Sequence, residues 1–437
     1  MADVKKVKAR TLPGFMELMP DEQILFNKMY DSIRKSYEKF GFIPLDTPIL
    51  ESSEVLLAKA GGETEKQIYR FTKGDTDMSM RFDLTVPLAK YVAMHAGELT
   101  FPFRRYQMSK VFRGERPQKG RYREFYQCDI DIIGDTELNI LNDAEIPSII
   151  YTTFKDLGFE RFVIRINNRR VLNGFFASLQ LQDNVSDILR IIDKLEKIGE
   201  EAVIECLQEL NIDNQKISSI MDFMKIDGEP DTVISSLRNL NISNEDFVQG
   251  VNELEQVASG VVAFGIPESN FKIDLKIARG LDYYTGTVYE TMLTDYPGLG
   301  SVCSGGRYDN LAEYYTNKKL PGVGISIGLS RLYAYLTSEN VIVPEESSTA
   351  KVLIVPMVEN MTEIFKIANE IRKKDINTEV CYNRKNMKSM LNYANKLKIP
   401  YVVFVGEDEI NNNVLTLKNM NTGNQEQIKI DEIEKYI

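Results

Sequence analysis

At 437 residues the chain has material for two or three domains with sizeable cores. Hydrophobic residues at 43% and charged residues at 27% fit a globular protein in water, and no apolar run reaches the roughly 18 residues that a membrane helix needs. The formal net charge is -11, so any site for a polyanion must be a local inversion of that charge.

The opening MADVKKVKAR is basic and polar, reads as a solvated tail and carries no secretory pattern, which points to a cytoplasmic home. TLPGFMELMP follows, marked by Pro and Gly, and Asp21 can cap the helix behind it. Phe26, Met29, Tyr30, Ile33, Tyr37 and Phe40 recur at spacings of three and four, which gives one buried stripe. Gly41 ends that helix. FIPLDTPIL then reads as a strand kept from continuous pairing by Pro44 and Pro48.

Two short strands flank the turn residues Lys73 to Asp77. Asp83-Leu84-Thr85 comes next, with Pro87 in the first turn of a helix, so Asp83 or Thr85 can act as its cap. The helix runs through LAKYVAMHAGEL to Gly97 and carries His95, the single histidine of the chain. A structural role at the helix C-terminus is the reading for that residue. Any Ser-His-Asp triad, His-rich metal site or Cys-His pair would have to use it. The four cysteines, Cys128, Cys206, Cys303 and Cys381, lie far apart without CxxC spacing, so neither zinc nor a disulfide framework is indicated, in keeping with a reducing compartment.

Phe103 to Ile133 is the most informative stretch. Between Arg104 and Glu124 it carries eight cations, Arg104, Arg105, Lys110, Arg113, Arg116, Lys119, Arg121 and Arg123, opposed only by Glu115 and Glu124. Tyr106 to Phe112 and Tyr122 to Ile132 read as strands around a loop from Gly114 to Gly120. Guanidinium groups suit a phosphate chain, because a planar donor fork stays charged and binds two oxygens at once. Charge alone leaves two readings open: a site for triphosphate or nucleic acid, or a solvated basic hairpin.

Residues 136 to 157 read as a helix and RFVIRIN as a strand. From about 170 to 262 helical periodicities dominate, as in VSDILRIIDKLEKIG, and the segment reads as an insertion. Strands resume at FKIDL. RGLDYYTG places Arg279, Asp282, Tyr283, Tyr284 and Gly286 at a bend, and GSVCSGGRYDNL offers a Gly-rich turn with Tyr308. GVGISIGLSRL has glycines at 322, 324 and 328, one residue off the dinucleotide fingerprint and with no clear βαβ context. Its small residues instead suggest close backbone approach to a nucleotide, with Arg331 leaving the first helical turns. ENVIVPEESSTAK is a polar linker. From Lys351 onward strands and helices alternate, which predicts a small α/β domain with a mostly parallel sheet. That part holds 13 Lys and Arg against 12 Asp and Glu, net +1, leaving -12 to the preceding residues and making it the more compatible with RNA.

Three of these segments carry a resemblance. RGERPQKGRYREFYQCDIDIIG resembles the ATP-binding hairpin of class II aminoacyl-tRNA synthetases, in the form of the histidyl family. ARGLDYYTGTVYE resembles that family's histidine signature, and GVGISIGLSRL its third motif. The helix and strand near the start resemble motif 1, which builds the dimer interface. The resemblance implies an α+β fold with a class II antiparallel sheet, flanking helices, a helical insertion and a C-terminal α/β domain. The expected boundaries are 1-169 and 263-340 for the two catalytic parts, 170-262 for the insertion, 341-350 for the linker and 351-437 for an anticodon-binding domain.

It also implies ATP-dependent activation of L-histidine and transfer to tRNA(His) by a homodimer, with ATP as substrate and Mg2+ as helper ion. No metal ligand is assigned. By resemblance Arg113 binds the α-phosphate and the substrate carboxylate, Arg121 takes the terminal phosphates, and Phe125 and Arg331 sandwich adenine, with Glu115 near the purine edge. Arg279 approaches the α-phosphate from the other side. Asp83, Thr85 and Gln127 receive the α-amino group. Asp131 and Tyr284, with Tyr283 and Tyr308 nearby, hold the imidazole. Arg116 and Gln118 touch the tRNA acceptor end. One alternative is a non-catalytic histidine-binding paralogue that regulates ATP phosphoribosyltransferase. Another is a class II synthetase for a different amino acid, and RGLDYYTG with FYQCDID argues against it.

Overall fold

The computed structural model describes residues 6–58, 63–118, 120–192, 194–277, 283–382 and 386–437. By their contacts these form two compact units, 1–16 with 30–338 and 17–29 with 339–437.

The first unit is organised by an eight-stranded sheet. In chain order its strands are β1 (Ile43–Pro44), β5 (Phe103–Phe112), β6 (Glu124–Ile133), β7 (Phe162–Asn168), β8 (Phe271–Ile273), β9 (Thr287–Leu293), β10 (Ser301–Tyr308) and β11 (Gly322–Ile327). In space they run β1-β5-β6-β11-β10-β9-β7-β8. The six central strands pair antiparallel, and β1 and β8 add parallel edges. A three-stranded sheet sits beside it, with β2 (Leu50–Ser52) on β4 (Thr76–Met80) and β4 on β3 (Arg70–Lys73). FIPLDTPIL is therefore not one strand. Its two ends join different sheets, and Pro44 and Pro48, which cannot donate to a ladder, fall at the end of one piece and between the two.

Side chains alternate across the large sheet, and the register sorts them into rungs. Asp129 is paired with Gln107 and Ser326, Ser326 with Ser304, and Ser304 with Glu290. The next rung runs Arg105, Asp131, Gly324, Gly306 and Val288. Between them on β6, Cys128, Ile130 and Ile132 are completely buried on the opposite face. On that second face Arg307 of β10 forms a buried ion pair at 2.6 Å with Asp143 of the helix Leu141–Asp156, tying helix to sheet. Residues 169–263 are helical with short connections, from Arg169–Ser178 to Glu245–Ala263.

Two sequence readings change here. GSVCSGGRYDNL is a strand through Tyr308, not a turn, because its glycines are needed for packing: a Cβ on Gly305 would lie 2.1 Å from the Gly324 carbonyl oxygen. Glycine inside a strand marks close backbone approach as often as it marks a bend. In the second unit, β12 (Val352–Pro356), β13 (Thr378–Val380), β14 (Tyr401–Val405), β15 (Val414–Asn419) and β16 (Gln425–Lys429) lie in the order β13-β12-β14-β15-β16. Two of its pairings are parallel and two antiparallel, so the sheet is mixed rather than mostly parallel. Helices cover both faces, with Val352, Ile354 and Val403 in one core and Leu353, Val355 and Val402 in the other. The terminal segment is a 3-10 turn, Ile430–Lys435.

Candidate active site

Above the first face of the large sheet lies a cavity of about 460 Å³. Twelve of the residues singled out in the sequence line it: Asp83, Thr85, Arg113, Glu115, Arg121, Phe125, Gln127, Asp131, Tyr283, Tyr284, Tyr308 and Arg331. They come from β6, β10, the hairpin loop and three helix or strand junctions, segments more than two hundred residues apart. Arg116 and Gln118 do not line it; Gln118 closes a tight turn with Arg121 through two backbone hydrogen bonds. Arg279 lies outside the described residues.

One end of the cavity is a phenol and carboxylate pocket. Tyr308 donates to Asp131 Oδ1 at 2.6 Å, and Arg105 Nη2 stands 2.6 Å from Oδ2 as an ion pair that lacks hydrogen-bond alignment. Burial pushes the Asp131 carboxyl up to about 6, with Arg105 and Tyr308 pulling the other way. The Tyr283 ring packs edge-on against Tyr284 and Tyr308 at 4.9 and 5.9 Å. Two glycines of GVGISIGLSRL make room for this pocket. A Cβ on Gly322 would reach the Tyr308 ring at 2.5 Å, and one on Gly324 would reach Asp131 Oδ1 at 2.3 Å. Gly306 makes the same room for Tyr284, whose ring a Cβ there would meet at 2.9 Å.

In the middle, Asp83 has a local duty. Its Oδ1 accepts from the backbone N–H groups of Thr85 and Val86 at 3.0 and 2.9 Å, so it caps the helix Thr85–His95 as well as lining the cavity. Gln127 Nε2 donates to Ser326 Oγ at 2.7 Å, which leaves Gln127 Oε1 buried without a partner. Asp129 Oδ1 is likewise buried and unpartnered. Burial raises that carboxyl to about 7, with Asp131 adding to the rise and Arg105 and Ser326 opposing it. Sequence reading passed over Asp129 and Ser326, and counted Arg105 among the polyanion-site cations although it pairs with Asp131. Alternation along β6 was the signal available, since Phe125, Gln127, Asp129 and Asp131 share one face.

The other end is cationic and aromatic. The Arg113 guanidinium lies 4.4 Å from the Phe82 ring centre and 5.1 Å from that of Phe125, and its Nε donates to the Phe82 carbonyl. Two ring faces and a carbonyl hold the fork in one plane, which removes much of the rotamer entropy a ligand would otherwise cost. Burial pulls the Arg113 guanidinium below its ordinary value, countered first by Asp83. Arg121 sits 3.5 Å from Glu115, and Arg331 donates to the Leu299 carbonyl.

The charge inversion of the hairpin is only partly a ligand feature. Arg104 pairs with Glu145, Arg105 with Asp131 and Lys110 with Glu124, while Arg123 donates to the Glu115 carbonyl. Lys119 lies outside the described residues. His95 contacts Glu98 and the Tyr91 ring, away from the cavity. Among the described residues no group of three or more acidic, histidine or cysteine side chains is placed to hold a metal. No helix among them is long and apolar enough to cross a membrane.

Comparison with known proteins agrees along the whole chain. A family described as histidyl-tRNA synthetase matches residues 14–332, and one described as anticodon binding domain matches residues 351–437. A histidine--tRNA ligase of Clostridium tetani is 60% identical, over 99% of this chain and 98% of its own. The crystal structure of histidyl-tRNA synthetase from Nostoc sp. PCC 7120 is 40% identical and superposes with a TM-score of 0.91, over 99% of this chain and 100% of that one. A Bacillus halodurans structure described as an ATP phosphoribosyltransferase regulatory subunit/histidyl-tRNA synthetase shares the fold at 19% identity, with a TM-score of 0.75 over 89% of this chain and 97% of that one.

Proposed function

The chain belongs to the histidyl-tRNA synthetase family, and we propose that the cavity over the large sheet is where it joins L-histidine to ATP. The reaction is activation of histidine to the adenylate with release of pyrophosphate, then transfer of the histidyl group to tRNA(His) with release of AMP. In the first step a substrate carboxylate oxygen forms a bond to the α-phosphorus as the bond to the pyrophosphate oxygen breaks. Neither reactant gives up a proton near neutral pH, so the protein's work is alignment and charge stabilisation. That fits a site with no histidine side chain and several arginines.

In this reading Arg113 bridges the α-phosphate and the substrate carboxylate, a task for a fork already fixed between Phe82 and Phe125. Adenine lies between Phe125 and Arg331 with Glu115 at its edge, and Arg121 takes the terminal phosphates. Arg279 is proposed for the far side of the α-phosphate. Asp131, Tyr284, Tyr283 and Tyr308 read the imidazole, and Asp83, Thr85 and Gln127 the ammonium. Mg2+ would arrive on the triphosphate, which asks only one or two carboxylates of a protein. Glu290, on the cavity wall, is the candidate to hold it, and it would neutralise phosphate charge.

Further proposals concern the rest of the molecule. Residues 170-262 would steady the tRNA acceptor arm, Arg116 and Gln118 would meet its end, and 351-437 would bind the anticodon. A homodimer is supported by exposed apolar side chains where the motif 1 resemblance falls, with Ile43 at 52% and Ile49 at 43% exposure. A reducing cytoplasm fits four cysteines far apart in the sequence without CxxC spacing. The regulatory alternative is disfavoured, because Arg113 and Arg331 both reach the cavity and an anticodon-type domain is matched.

One observation carries the histidine reading: the carboxylate Asp131, held by Tyr308 and Arg105, lies in the same cavity as the aromatic-clamped Arg113. Pyrophosphate exchange into ATP, measured with each amino acid in turn, is the test. Exchange dependent on histidine alone is expected, and exchange driven by another amino acid contradicts it.

A further inference from the structure

Three carboxylates, Asp83, Asp129 and Asp131, line the cavity with the Arg113 guanidinium, and Arg105 lies buried behind them. Arg105 is committed to Asp131 at 2.6 Å. Asp83 is the main charge offsetting the burial of Arg113, and its Oδ1 is occupied by two backbone N–H groups. Asp129 is left over. It is 3% exposed, its Oδ1 has no partner, and the unpartnered Gln127 Oε1 lies one rung away on the same strand face. A buried carboxylate without a dedicated cation is costly to a fold, and so is a buried acceptor without a donor. Both costs vanish together if a ligand brings a positively charged donor to this spot. The substrate has one such group, and the position fits it, between the Asp131 pocket and the Arg113 fork.

Building on the proposed histidine site, we infer that Asp129 is a further substrate-binding residue, whose carboxylate receives the histidine ammonium together with the Gln127 amide oxygen. Ser326, whose hydroxyl accepts from Gln127 Nε2 and which is the register partner of Asp129 on the neighbouring strand, orients the Gln127 amide so that its oxygen faces the cavity beside Asp129. Asp83, whose Oδ1 caps the helix, keeps its place at the ammonium beside Thr85, and Asp129 adds a second carboxylate to it.

The test uses the full chain and calorimetry without ATP, with L-histidine and with 3-(imidazol-4-yl)propionate, which lacks only the amino group. The parent should bind histidine at least about tenfold more tightly than the deamino ligand, the order expected of a charged hydrogen bond. Asp129→Asn should weaken histidine by roughly tenfold to a hundredfold and the deamino ligand less than about twofold. Equal weakening of both ligands assigns Asp129 a structural role and overturns the inference, as does unchanged histidine affinity. If Asp129→Asn fails to fold, Asp129→Ser replaces it. Equal affinity of the parent for the two ligands overturns the inference without any variant. A parent that binds the deamino ligand but no histidine overturns this inference, while a parent that binds neither overturns the histidine site itself.

Discussion

Asp131 on β6 and Gly324 on β11 are register partners, so close that a methyl group on the glycine would stand 2.3 Å from Asp131 Oδ1. The carboxylate at the base of the pocket occupies the space a side chain would take on the neighbouring strand. Sheet register therefore sets where this carboxylate stands, and in the proposed site the third motif acts on histidine recognition through what it lacks.

Gly324→Ala should therefore displace Asp131 and weaken histidine while sparing ATP. A large rise in the KM for histidine, about tenfold or more, is expected with a near-constant KM for ATP, since one misplaced hydrogen-bonding group costs about this much. Pyrophosphate exchange at varied histidine and varied ATP separates the two.

Arg105 is completely buried and its Nε and Nη1 have no hydrogen-bond partner, so its charge depends on Asp131. Arg105→Met leaves that carboxylate uncompensated and should cost about 3–5 kcal/mol of stability. Adding Asp131→Asn should restore much of it, but histidine binding should stay lost. Urea unfolding of the single and double variants measures the coupling.

The raised carboxyls give a pH dependence with a definite sign. An unfolded aspartate titrates near 3.9, whereas Asp129 in the fold is pushed up to about 7 and Asp131 to about 6. Between those values the folded chain holds protons that the unfolded chain has released. Stability should fall as the pH rises from about 4 to about 7, by at most about 1.4 kcal/mol per pH unit for each group. Asp129→Asn removes one contribution, so its Tm should decline less than the parent's between pH 5 and about 7.5. Parallel Tm profiles would contradict the burial argument.

The fold was largely open to sequence reasoning where periodicity is strong. Of the expected stripe, Phe26, Met29, Ile33 and Tyr37 are buried and Tyr30 and Phe40 partly so, and the hairpin strands fall at Phe103–Phe112 and Glu124–Ile133. It failed where glycine has two meanings: Gly305 and Gly306 look like a turn but are strand residues facing crowded neighbours. In the site, arginine content overstated the ligand surface. Arg104, Arg105, Lys110 and Arg123 hold the hairpin itself, and their partners Glu145 and Asp131 lie too far along the chain for local charge counting to reveal. Asp129 went unnoticed although its alternation with Gln127 and Asp131 puts it on their face; the register adds that it shares a rung with Ser326 and Ser304, which sequence alone does not show.

At the nucleotide end, Arg121→Ala and Arg331→Ala should each raise the KM for ATP by roughly tenfold, the worth of a charge-assisted contact. Histidine affinity without ATP should stay within about twofold, because neither residue reaches the Asp131 pocket. Calorimetry with histidine alone and exchange kinetics with ATP check the two halves separately.

Activation in this cavity requires Arg113 to serve nucleotide and amino acid at once. Single-turnover formation of histidyl-adenylate by Arg113→Ala, with both substrates saturating, measures this directly. A rate lowered by about a hundredfold or more is predicted, as for loss of a preorganised group that stabilises developing charge. A folded variant whose rate lies within about threefold of the parent contradicts it.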